Sequence, residues 1–252
     1  MSFTGKVIAI TGGASGIGLA TAKAVSERGG TVCIADRDPE AITRTDTYFK
    51  DKGVPYSITT VDVSVRDQVE AWTSGIIAQF GRLDGAANVA GVNQDNINRK
   101  ANLVDLEDEE WHRVIGINLT GTMYCLRSQL RKISNGGSIV NMGSIHSVKG
   151  FSNNSAYDAS KHGILGLTRA AAQENGGREV RVNCVAPGAI FTPLMQKAFE
   201  KMGRPVDAPF DEPTTIQRQG KAEEVAAVIV FLLGPESTFV SGACYSVDGG
   251  WS

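Results

Sequence analysis

Tyr157 and Lys161 have a spacing that suggests chemistry, because they lie four positions apart in a stretch with helical patterning. Side chains four residues apart share one face of a helix. A free phenol titrates near pH ~10 and is a poor acid–base group at neutral pH, but a neighbouring ammonium lowers its pKa. The pair therefore predicts that Tyr157 exchanges a proton with a substrate. The alternative is an exposed pair without chemistry.

Three other polar residues are candidates for the same site. Ser144 follows the predicted strand 138–142, and open α/β sheets bind ligands at the carboxyl ends of their strands. Its hydroxyl is expected to hydrogen-bond a substrate oxygen as charge develops there. His146 lies two residues further along the same loop and is expected to touch the substrate. Asn118 lies inside an apolar helical run, where an amide is costly unless it is hydrogen-bonded. A serine in a turn and an asparagine at a helix kink are the structural alternatives.

A glycine-rich turn joins the first predicted strand, 7–10, to a helix. Such a turn leaves backbone N–H groups free, and the helix N-terminus favours an anion beside them. Glycine permits a positive φ, close approach of a pyrophosphate, and tight packing of the helix on the strand. The residues expected to hold the pyrophosphate are Gly12, Ser15, Gly16, Ile17 and Gly18.

Asp36 lies at the end of the second predicted strand, 18 residues after Gly18. A carboxylate at this point accepts hydrogen bonds from the hydroxyls of an adenosine ribose and repels a 2′-phosphate. Arg37 could reach such a phosphate, but Ser15 offers no second cation for it. The sequence therefore favours NAD over NADP. The alternative is that Asp36 caps the following helix.

Short β-branched runs alternate with longer helical stretches along almost the whole chain. The strand-like runs are 7–10, 31–35, 56–61, 83–87, 138–142, 180–185 and 243–247. The helical stretches include 18–29, 64–80, 107–133, 155–175 and 221–233. This alternation predicts an α/β fold, with a doubly wound, mainly parallel sheet of about seven strands and helices on both faces. Since no linker or repeat interrupts it, we expect one domain over residues 1–252.

Residues 188–220 break the alternation and carry four prolines. Long irregular segments are often lids or binding loops. We therefore expect this segment to be the substrate loop, forming a pocket with residues 93–103 and 145–154. Its apolar side chains are Phe191, Leu194, Met195, Phe199, Met202 and Phe210. Because methionine adapts to irregular shapes, Met195 is expected to touch the substrate, and the substrate is expected to be a bulky, mostly apolar alcohol or ketone.

Charge and composition exclude several classes of partner. The 25 Lys and Arg residues against 27 Asp and Glu residues give a net charge of −2, whereas nucleic acids and acidic membrane surfaces favour a clustered positive excess. The longest apolar run, 225–233, is about half of a membrane span. The cysteines and histidines are scattered, so no metal site is expected. We expect a cytoplasmic protein that binds neither nucleic acid nor membranes.

Two helical stretches, 107–133 and 155–175, carry apolar or small residues nearly all round. A helix that is apolar on every side must be buried on every side. The outer face of a helix on a sheet usually meets water, so a second subunit is the natural cover. The sequence therefore predicts a homo-oligomer, either a tetramer or a dimer. The alternative is that the irregular segment 188–220 covers the helix.

Taken together, these motifs resemble the short-chain dehydrogenase/reductase family over essentially the whole chain. The TGxxxGIG pattern is complete at 11–18, and YxxxK occupies 157–161. An NAG-type element occupies 88–91, with Val89 where alanine or asparagine is more usual. The resemblance implies a Rossmann-like fold and a catalytic tetrad of Asn118, Ser144, Tyr157 and Lys161. In that tetrad Asn118 holds a water that links Lys161 to solvent. Besides Asp36, Arg37, Tyr157 and Lys161, the cofactor contacts it implies are Asp62, Val63, Asn88, Ala90, Gly91, Pro187, Gly188, Ile190 and Thr192.

The residues and the resemblance predict an NAD(P)-dependent oxidoreductase that interconverts a secondary alcohol and a ketone. NAD is the expected cofactor, NADP is the second choice, and alcohol oxidation is the expected direction. Two other functions stay open at this point. One is an isomerase or dehydratase that uses the same Tyr–Lys pair, and the other is a dinucleotide-binding sensor without turnover.

Overall fold

The structure is a computed structural model that describes residues 2–95, 102–201, 203–205 and 209–251. Within these ranges seven parallel strands form one sheet. Its strands are β1 (Val7–Thr11), β2 (Thr31–Asp36), β3 (Tyr56–Thr60), β4 (Gly85–Asn88), β5 (Ser138–Met142), β6 (Arg181–Pro187) and β9 (Cys244–Val247). The two short strands β7 (Ile190–Phe191) and β8 (Gly220–Lys221) pair with each other outside this sheet.

Helices connect the strands and cover the sheet. They are α1 (Gly16–Ser26), α2 (Pro39–Lys52), α3 (Arg66–Phe80), α4 (Asp108–Val114), α5 (Gly121–Leu130), α6 (Ser155–Glu174), α7 (Pro193–Lys201) and α8 (Ala222–Leu233). A π-helical turn, Ile115–Thr120, joins α4 to α5. Short 3₁₀ turns occupy Leu103–Asp105, Ile145–Ser147, Gly176–Arg178 and Pro235–Ser237. The predicted α/β fold with a doubly wound parallel sheet is confirmed.

The order of the strands creates a crevice at one edge of the sheet. The order is β3-β2-β1-β4-β5-β6-β9, so the chain leaves β1 first towards β2 and later resumes on its other side at β4. Open α/β sheets bind ligands where the strand order reverses in this way, beyond the carboxyl ends of the strands. Thr11 of β1 pairs with Asn88 of β4, and Asn88 pairs with Asn141 of β5. The ends of β1, β4 and β5 therefore reach the same edge.

Two hydrophobic cores hold the layers together. The core under α3, α5 and α6 includes Val69, Leu126 and Ala171, and the core under α1, α2 and α8 includes Phe49 and Ile229. All five of these side chains are at most 5% exposed. Burying one Val, Leu, Ile or Phe side chain stabilises a fold by roughly 1.5–3 kcal/mol. Because both faces are covered, the central strands β1, β4, β5 and β6 are buried along their whole length.

Two helices, α2 and α7, are not among the helical stretches that the sequence delimits, although a helix is expected after Asp36. In α2 only Ala41, Thr45 and Phe49 are buried, so its apolar pattern is weak, and the helix is started instead by Asp38, whose carboxylate accepts from the backbone N–H groups of two following residues. The helix α7 lies inside the segment 188–220. The expectation that this whole segment is irregular is wrong, since Pro193 opens a regular helix of nine residues.

No helix in the described part of the chain combines the length and apolarity needed to cross a bilayer. Among the same residues, no group of three or more His, Cys, Asp and Glu side chains is arranged to hold a metal ion. Cys33, Cys125, Cys184 and Cys244 are free thiols.

Candidate active site

A cleft opens beyond the carboxyl ends of the central strands, at the crevice beside β1 and β4. Most residues that the sequence singles out for binding and catalysis line it. They are Gly12, Ser15, Gly16, Ile17, Gly18, Asp36, Arg37, Asp62, Val63, Ala90, Gly91, Ser144, Tyr157, Lys161, Pro187, Gly188, Ile190, Thr192 and Met195. Three predicted site residues, Asn88, Asn118 and His146, lie outside this lining.

The glycine turn at one end of the cleft has no room for larger side chains. Gly12 and Gly16 have φ angles of +64° and +48°, which favour glycine. A Cβ on Gly18 would lie 2.1 Å from the Gly12 carbonyl oxygen, and a Cβ on Gly12 would lie 2.9 Å from the Cα of Ala90. Ser15 stands at the N-cap of α1, but its side chain caps no backbone N–H. The turn therefore presents the N-terminus of α1 to an anion.

Asp36 is fixed at the end of β2, next to the glycine turn. Its Oδ2 accepts a hydrogen bond from the Ala14 backbone N at 3.0 Å, and its Oδ1 accepts one from the Arg37 backbone N at 2.8 Å. The alternative that Asp36 caps α2 is wrong, because the N-cap is Asp38. Backbone donors on two sides hold the Asp36 carboxylate at the cleft, where it can accept hydrogen bonds from a ribose.

Arg37 and Asp62 lie on the same side of the cleft and face each other. The Arg37 guanidinium is 3.9 Å from Oδ2 of Asp62. The other oxygen of Asp62 accepts hydrogen bonds from the backbone N and the hydroxyl of Ser64, at 2.9 and 2.6 Å. Val63 is buried against Gly121, where a Cβ would approach the Val63 side chain to 2.9 Å. The Arg37 cation is thus already opposite a carboxylate.

Tyr157 and Ser144 meet at the other end of the cleft. Tyr157 lies in the first turn of α6, and Ser144 starts the 3₁₀ turn Ile145–Ser147 after β5. The pKa of the Tyr157 phenol is raised to about 12. Burial has the largest effect, and the nearby Asp158 carboxylate adds to it, while the hydrogen bond with Ser144 acts in the opposite direction. The phenol is therefore protonated at neutral pH. It can donate a proton to an oxygen that also hydrogen-bonds the Ser144 hydroxyl.

Lys161 lies behind Tyr157, one helical turn further along α6. Its ammonium donates to the Met142 carbonyl oxygen at 3.0 Å and lies 5.4 Å from the centroid of the Tyr157 ring. Burial lowers the pKa of Lys161 to about 8. The expectation that Lys161 brings the pKa of Tyr157 below its usual value is not met in this structure, because burial of the phenol has the larger effect.

Asn118 is fully buried in the π-helical turn and supports the site from behind. Its side-chain oxygen accepts from the backbone N of Val92 at 2.8 Å, and its side-chain nitrogen donates to the Val92 carbonyl at 3.0 Å and to the Ser160 hydroxyl at 3.1 Å. Its own carbonyl accepts from the Thr122 hydroxyl at 2.6 Å. Asn118 thus ties the segment after β4 to α6. The water-holding role implied by the family resemblance stays a prediction.

The Asn88 side chain faces away from the cleft. It donates to the side-chain oxygens of Gln129 and Asn141, both at 2.9 Å, and its own oxygen accepts from Gln129 at 2.8 Å. These bonds use the amide fully and join β4 to β5 and α5. The predicted cofactor contact is therefore not supported for this side chain, because strand pairing turns it into the protein interior.

His146 is close to Tyr157 but does not reach the lining of the cleft. Its Nδ1 is hydrogen-bonded to the Asp158 carboxylate, and its ring meets the Tyr157 ring edge-on with centroids 4.9 Å apart. Burial lowers the pKa of His146, although Asp158 opposes that change. Burial therefore favours the neutral imidazole. Contact with a substrate stays a prediction for this residue.

Several lining residues on the substrate side escape the sequence argument. They include Val92 and Gly143, whereas Asn93, Pro193 and Leu194 lie in segments that the sequence assigns to the pocket. Each lies within two positions of a residue that the motifs do identify, and that proximity is the signal that could have found them. Phe191 and Leu194 are 45% and 41% exposed beside the cleft, which gives it an apolar margin. Residues 96–101 and Met202, which the sequence also assigns to the pocket, lie outside the described residues.

The residues present fit a nicotinamide dinucleotide. A turn without space for Cβ atoms matches the close approach of a pyrophosphate. A carboxylate held by backbone N–H groups stands where a ribose would need an acceptor. At the other end of the cleft, the phenol and hydroxyl of Tyr157 and Ser144 converge. The cleft can therefore hold the two ends of such a cofactor and expose a substrate oxygen to an acid–base pair.

Comparisons with known proteins agree with this geometry. Residues 12–252 match a protein-family model described as Enoyl-(Acyl carrier protein) reductase. The chain is 62% identical over 252 residues to "Short-chain dehydrogenase/reductase ABA4" of Pyricularia oryzae (strain 70-15), covering 100% of this chain and 93% of that protein. It is 39% identical over 255 residues to "Cis-4-hydroxycyclohexanecarboxylate dehydrogenase" of Sinomonas cyclohexanicum, covering 100% and 98%.

Solved structures have the same fold. The crystal structure of levodione reductase matches with a TM-score of 0.88 and 32% identity, covering 98% of this chain and 97% of that one. A short chain dehydrogenase from Burkholderia cenocepacia J2315, solved in complex with NADP, matches with a TM-score of 0.87 and 28% identity over 99% of both chains. The chain therefore belongs to the short-chain dehydrogenase/reductase family, whose members carry out NAD(P)-dependent oxidoreduction of alcohols and ketones.

Proposed function

We propose that the protein is an NAD-linked dehydrogenase that oxidises a bulky, mostly apolar secondary alcohol to a ketone, in a reversible reaction. The observation that carries this proposal is the meeting of Tyr157 and Ser144 at one end of a cleft that holds the glycine turn and Asp36 at the other. One half of the cleft suits a dinucleotide, and the other half suits proton exchange with a substrate oxygen.

In the proposed reaction the substrate oxygen lies between the hydroxyls of Tyr157 and Ser144. Ser144 hydrogen-bonds this oxygen and stabilises the charge that develops on it. Tyr157 donates a proton to the oxygen during ketone reduction and removes it during alcohol oxidation. The nicotinamide, when bound, supplies or accepts the hydride. Lys161 stands behind the phenol and stabilises the phenolate that oxidation requires.

The choice of NAD rests on Asp36. A 2′-phosphate would bring negative charge next to its carboxylate, which three backbone N–H groups hold in place. Arg37, the nearest cation in the sequence, already lies opposite Asp62. Since no arginine or lysine stands in the glycine turn, where Ser15 lies, we propose NAD as the preferred cofactor and NADP as the weaker one.

The substrate class rests on the apolar part of the cleft. Pro193, Leu194 and Met195 line it from α7, so an apolar body gains more from burial there than a sugar does. The name of the Sinomonas relative describes a dehydrogenase of a ring-bearing secondary alcohol. We propose a ring-bearing alcohol or ketone for this chain as well.

We also propose that the protein is a homo-oligomer, a tetramer or a dimer, in the cytoplasm. In the single chain, α6 leaves a face exposed that includes Gly166 and Ala170, and Phe239 is fully exposed. A second copy of the chain would remove this apolar surface from water. The free thiols suit a reducing compartment.

The test is a set of secondary alcohols and ketones with each of the two cofactors, following the absorbance of the reduced nicotinamide. We expect turnover on ring-bearing apolar alcohols, with NAD favoured over NADP, and one nicotinamide reduced per ketone formed. Best turnover on sugars would contradict the proposed substrate class. Product formation without a net change in the nicotinamide would indicate an isomerase or dehydratase, and binding without turnover would indicate a sensor.

A further inference from the structure

One pair of side chains, Asp158 and His146, connects the two segments that carry the hydroxyls of Ser144 and Tyr157. Asp158 follows Tyr157 on α6, and His146 lies two residues after Ser144 in the 3₁₀ turn. The Asp158 carboxylate accepts a hydrogen bond from Nδ1 of His146 and another from the backbone N of Phe151 at 2.7 Å. One carboxylate therefore holds two points of the loop after Ser144, at His146 and at Phe151, to the helix of Tyr157.

Aromatic packing holds the imidazole in place between these segments. The His146 ring lies against the Phe151 ring with centroids 4.1 Å apart, and it meets the edge of the Tyr157 ring at 4.9 Å. The Trp251 ring packs on the other side of Phe151 at 5.9 Å. The side chains of His146 and Asp158 are only 17% and 15% exposed. The contact is consequently shielded from water, which strengthens its hydrogen bond.

The hydrogen-bonding capacity of the carboxylate decides which nitrogen of His146 carries the proton. An ionised carboxylate can only accept hydrogen bonds, so the neutral His146 must carry its proton on Nδ1. Burial favours this neutral form of His146 over the imidazolium. The Nε2 atom is then an acceptor, and it has no protein hydrogen-bond partner within the described residues. The pair thus fixes one tautomer and one orientation of the ring.

We propose that Asp158 and His146 form a positioning pair that sets the distance between the Ser144 and Tyr157 hydroxyls, an inference that rests on the proposed function. Neither residue exchanges a proton with the substrate in this role. A misplacement of about 1 Å in a reacting geometry can cost roughly 10²-fold in rate. The pair therefore acts on turnover and leaves the cofactor end of the cleft unchanged.

The experiment compares His146→Phe, Asp158→Ala and their double variant with the wild type. His146→Phe keeps the ring packing but removes the Nδ1 donor, and Asp158→Ala removes the acceptor. We expect each single variant to lose roughly 10- to 100-fold in kcat, with the Kd for NAD within about twofold of wild type. Because the two residues act as one unit, the double variant should be no slower than the slower single variant.

His162→Gln is the matched control, because this histidine is exposed and, among the residues that the structure describes, hydrogen-bonds the backbone carbonyl of Asp158 on the same helix. It should keep the wild-type kcat. Asp158→Asn retains an acceptor and should recover part of the loss, which also covers the case that Asp158→Ala does not fold. Wild-type kcat in folded His146→Phe or folded Asp158→Ala, or losses that multiply in the double variant, would overturn the proposal.

A second readout separates this inference from the proposed function. Nitrogen-15 NMR of the three histidines reports the tautomer of each ring without any substrate. We expect the Nδ1–H form for His146 and its loss in Asp158→Ala. If the wild type oxidises no alcohol, the proposed function fails while this NMR result still decides whether the pair exists. An Nε2–H tautomer at His146 in the wild type would overturn the pairing.

Discussion

At the scale of one residue, we propose that the Asp36 carboxylate decides between two cofactors. Its two oxygens are bound by backbone N–H groups of Ala14 and Arg37, so it cannot swing away from a ligand. The carbon skeleton of NAD and NADP is the same, and the 2′-phosphate is the group that meets this charge. We therefore propose that electrostatics at this position set the preference between them.

Asp36→Ser should lower kcat/KM for NAD and raise it for NADP, because the variant loses the ribose acceptor and the repulsion of a phosphate. We expect the NAD/NADP ratio to fall by roughly 100-fold, since charged hydrogen bonds contribute about 1.5–3 kcal/mol each. Asp38→Ser is the control, because that residue caps α2. An unchanged ratio in Asp36→Ser would contradict the assignment.

Lys161 is a buried cation, and its cost to stability should depend on pH. The pKa of the folded state is lowered to about 8 by burial, whereas the unfolded chain keeps the proton up to about 10.4. Between these values the unfolded state binds more protons, so the stability of the wild type rises with pH across that window. Below pH 8 both states carry the proton, and the full cost of burial remains.

Lys161→Met removes the charge and should abolish most activity while it changes this pH dependence. We expect the unfolding free energy of the wild type, measured relative to the variant, to increase from pH 8 to pH 10. Urea unfolding of both proteins at several pH values measures this difference directly. A difference that stays constant, or that decreases over this range, would show that Lys161 keeps an ordinary pKa in the fold.

The sequence predicts which residues assemble here better than it predicts their protonation. The spacing of Tyr157 and Lys161 places them on one face of a helix, and α6 confirms that arrangement. Their pKa values depend on burial, which a motif does not report. The hydrogen bonds that turn the Asn88 side chain into the interior are likewise made to residues distant in the chain, Gln129 and Asn141.

At the scale of elements, the strand–turn–helix unit from β1 to α1 builds the cofactor end of the cleft. Gly18 allows the helix to pack on the turn, since a Cβ there would overlap the Gly12 carbonyl at 2.1 Å. This contact is between backbone atoms, so a side-chain rearrangement cannot relieve it. The turn and the helix must move apart if Gly18 is replaced.

Gly18→Ala should weaken NAD binding by at least roughly tenfold and lower the unfolding temperature, because overpacking of this kind costs about 1–3 kcal/mol. Gly75→Ala on α3 is the matched control, since a Cβ there meets no atom within 4 Å. That variant should be neutral or more stable, by up to about 1 kcal/mol of helix propensity. Calorimetry with NAD titration measures both effects, and equal behaviour of the two variants would contradict this account.

The elements that escaped prediction are those with weak or locally determined signals. The helix α7 lies in a proline-rich segment, and it forms because Pro193 opens it and the Thr192 hydroxyl accepts from the backbone N of Met195 at 3.3 Å. The π-helical turn at Asn118 follows from side-chain bonds to Val92 and Ser160. The bonds of Asn118 join segments distant in sequence. The central strands β1 and β2, by contrast, are buried on both faces and show clear apolar runs.

At the scale of the whole molecule, the single chain exposes apolar surface that a second copy of the chain would cover. Phe239 is fully exposed after the 3₁₀ turn Pro235–Ser237, and the outer face of α6 is exposed at small residues. The net charge of −2 is close to zero, so electrostatic repulsion between identical copies is weak. Both features favour self-association.

We expect light scattering after gel filtration to give the mass of a tetramer or a dimer of the 26.7 kDa chain. Phe239→Asp should shift the protein to a smaller species, because it places a charge on the proposed interface. Val65→Asp changes another exposed apolar residue, before α3, and should leave the mass unchanged. A monomeric wild type at micromolar concentration would contradict the predicted assembly.

The central claim is that the Tyr157 hydroxyl exchanges the substrate proton, and the most direct test is the turnover of Tyr157→Phe. The variant loses one oxygen atom and keeps the ring that packs against His146. We predict a loss of at least roughly 100-fold in kcat for the best alcohol, with NAD affinity by calorimetry unchanged. Undiminished turnover in a folded, NAD-binding variant would contradict the account.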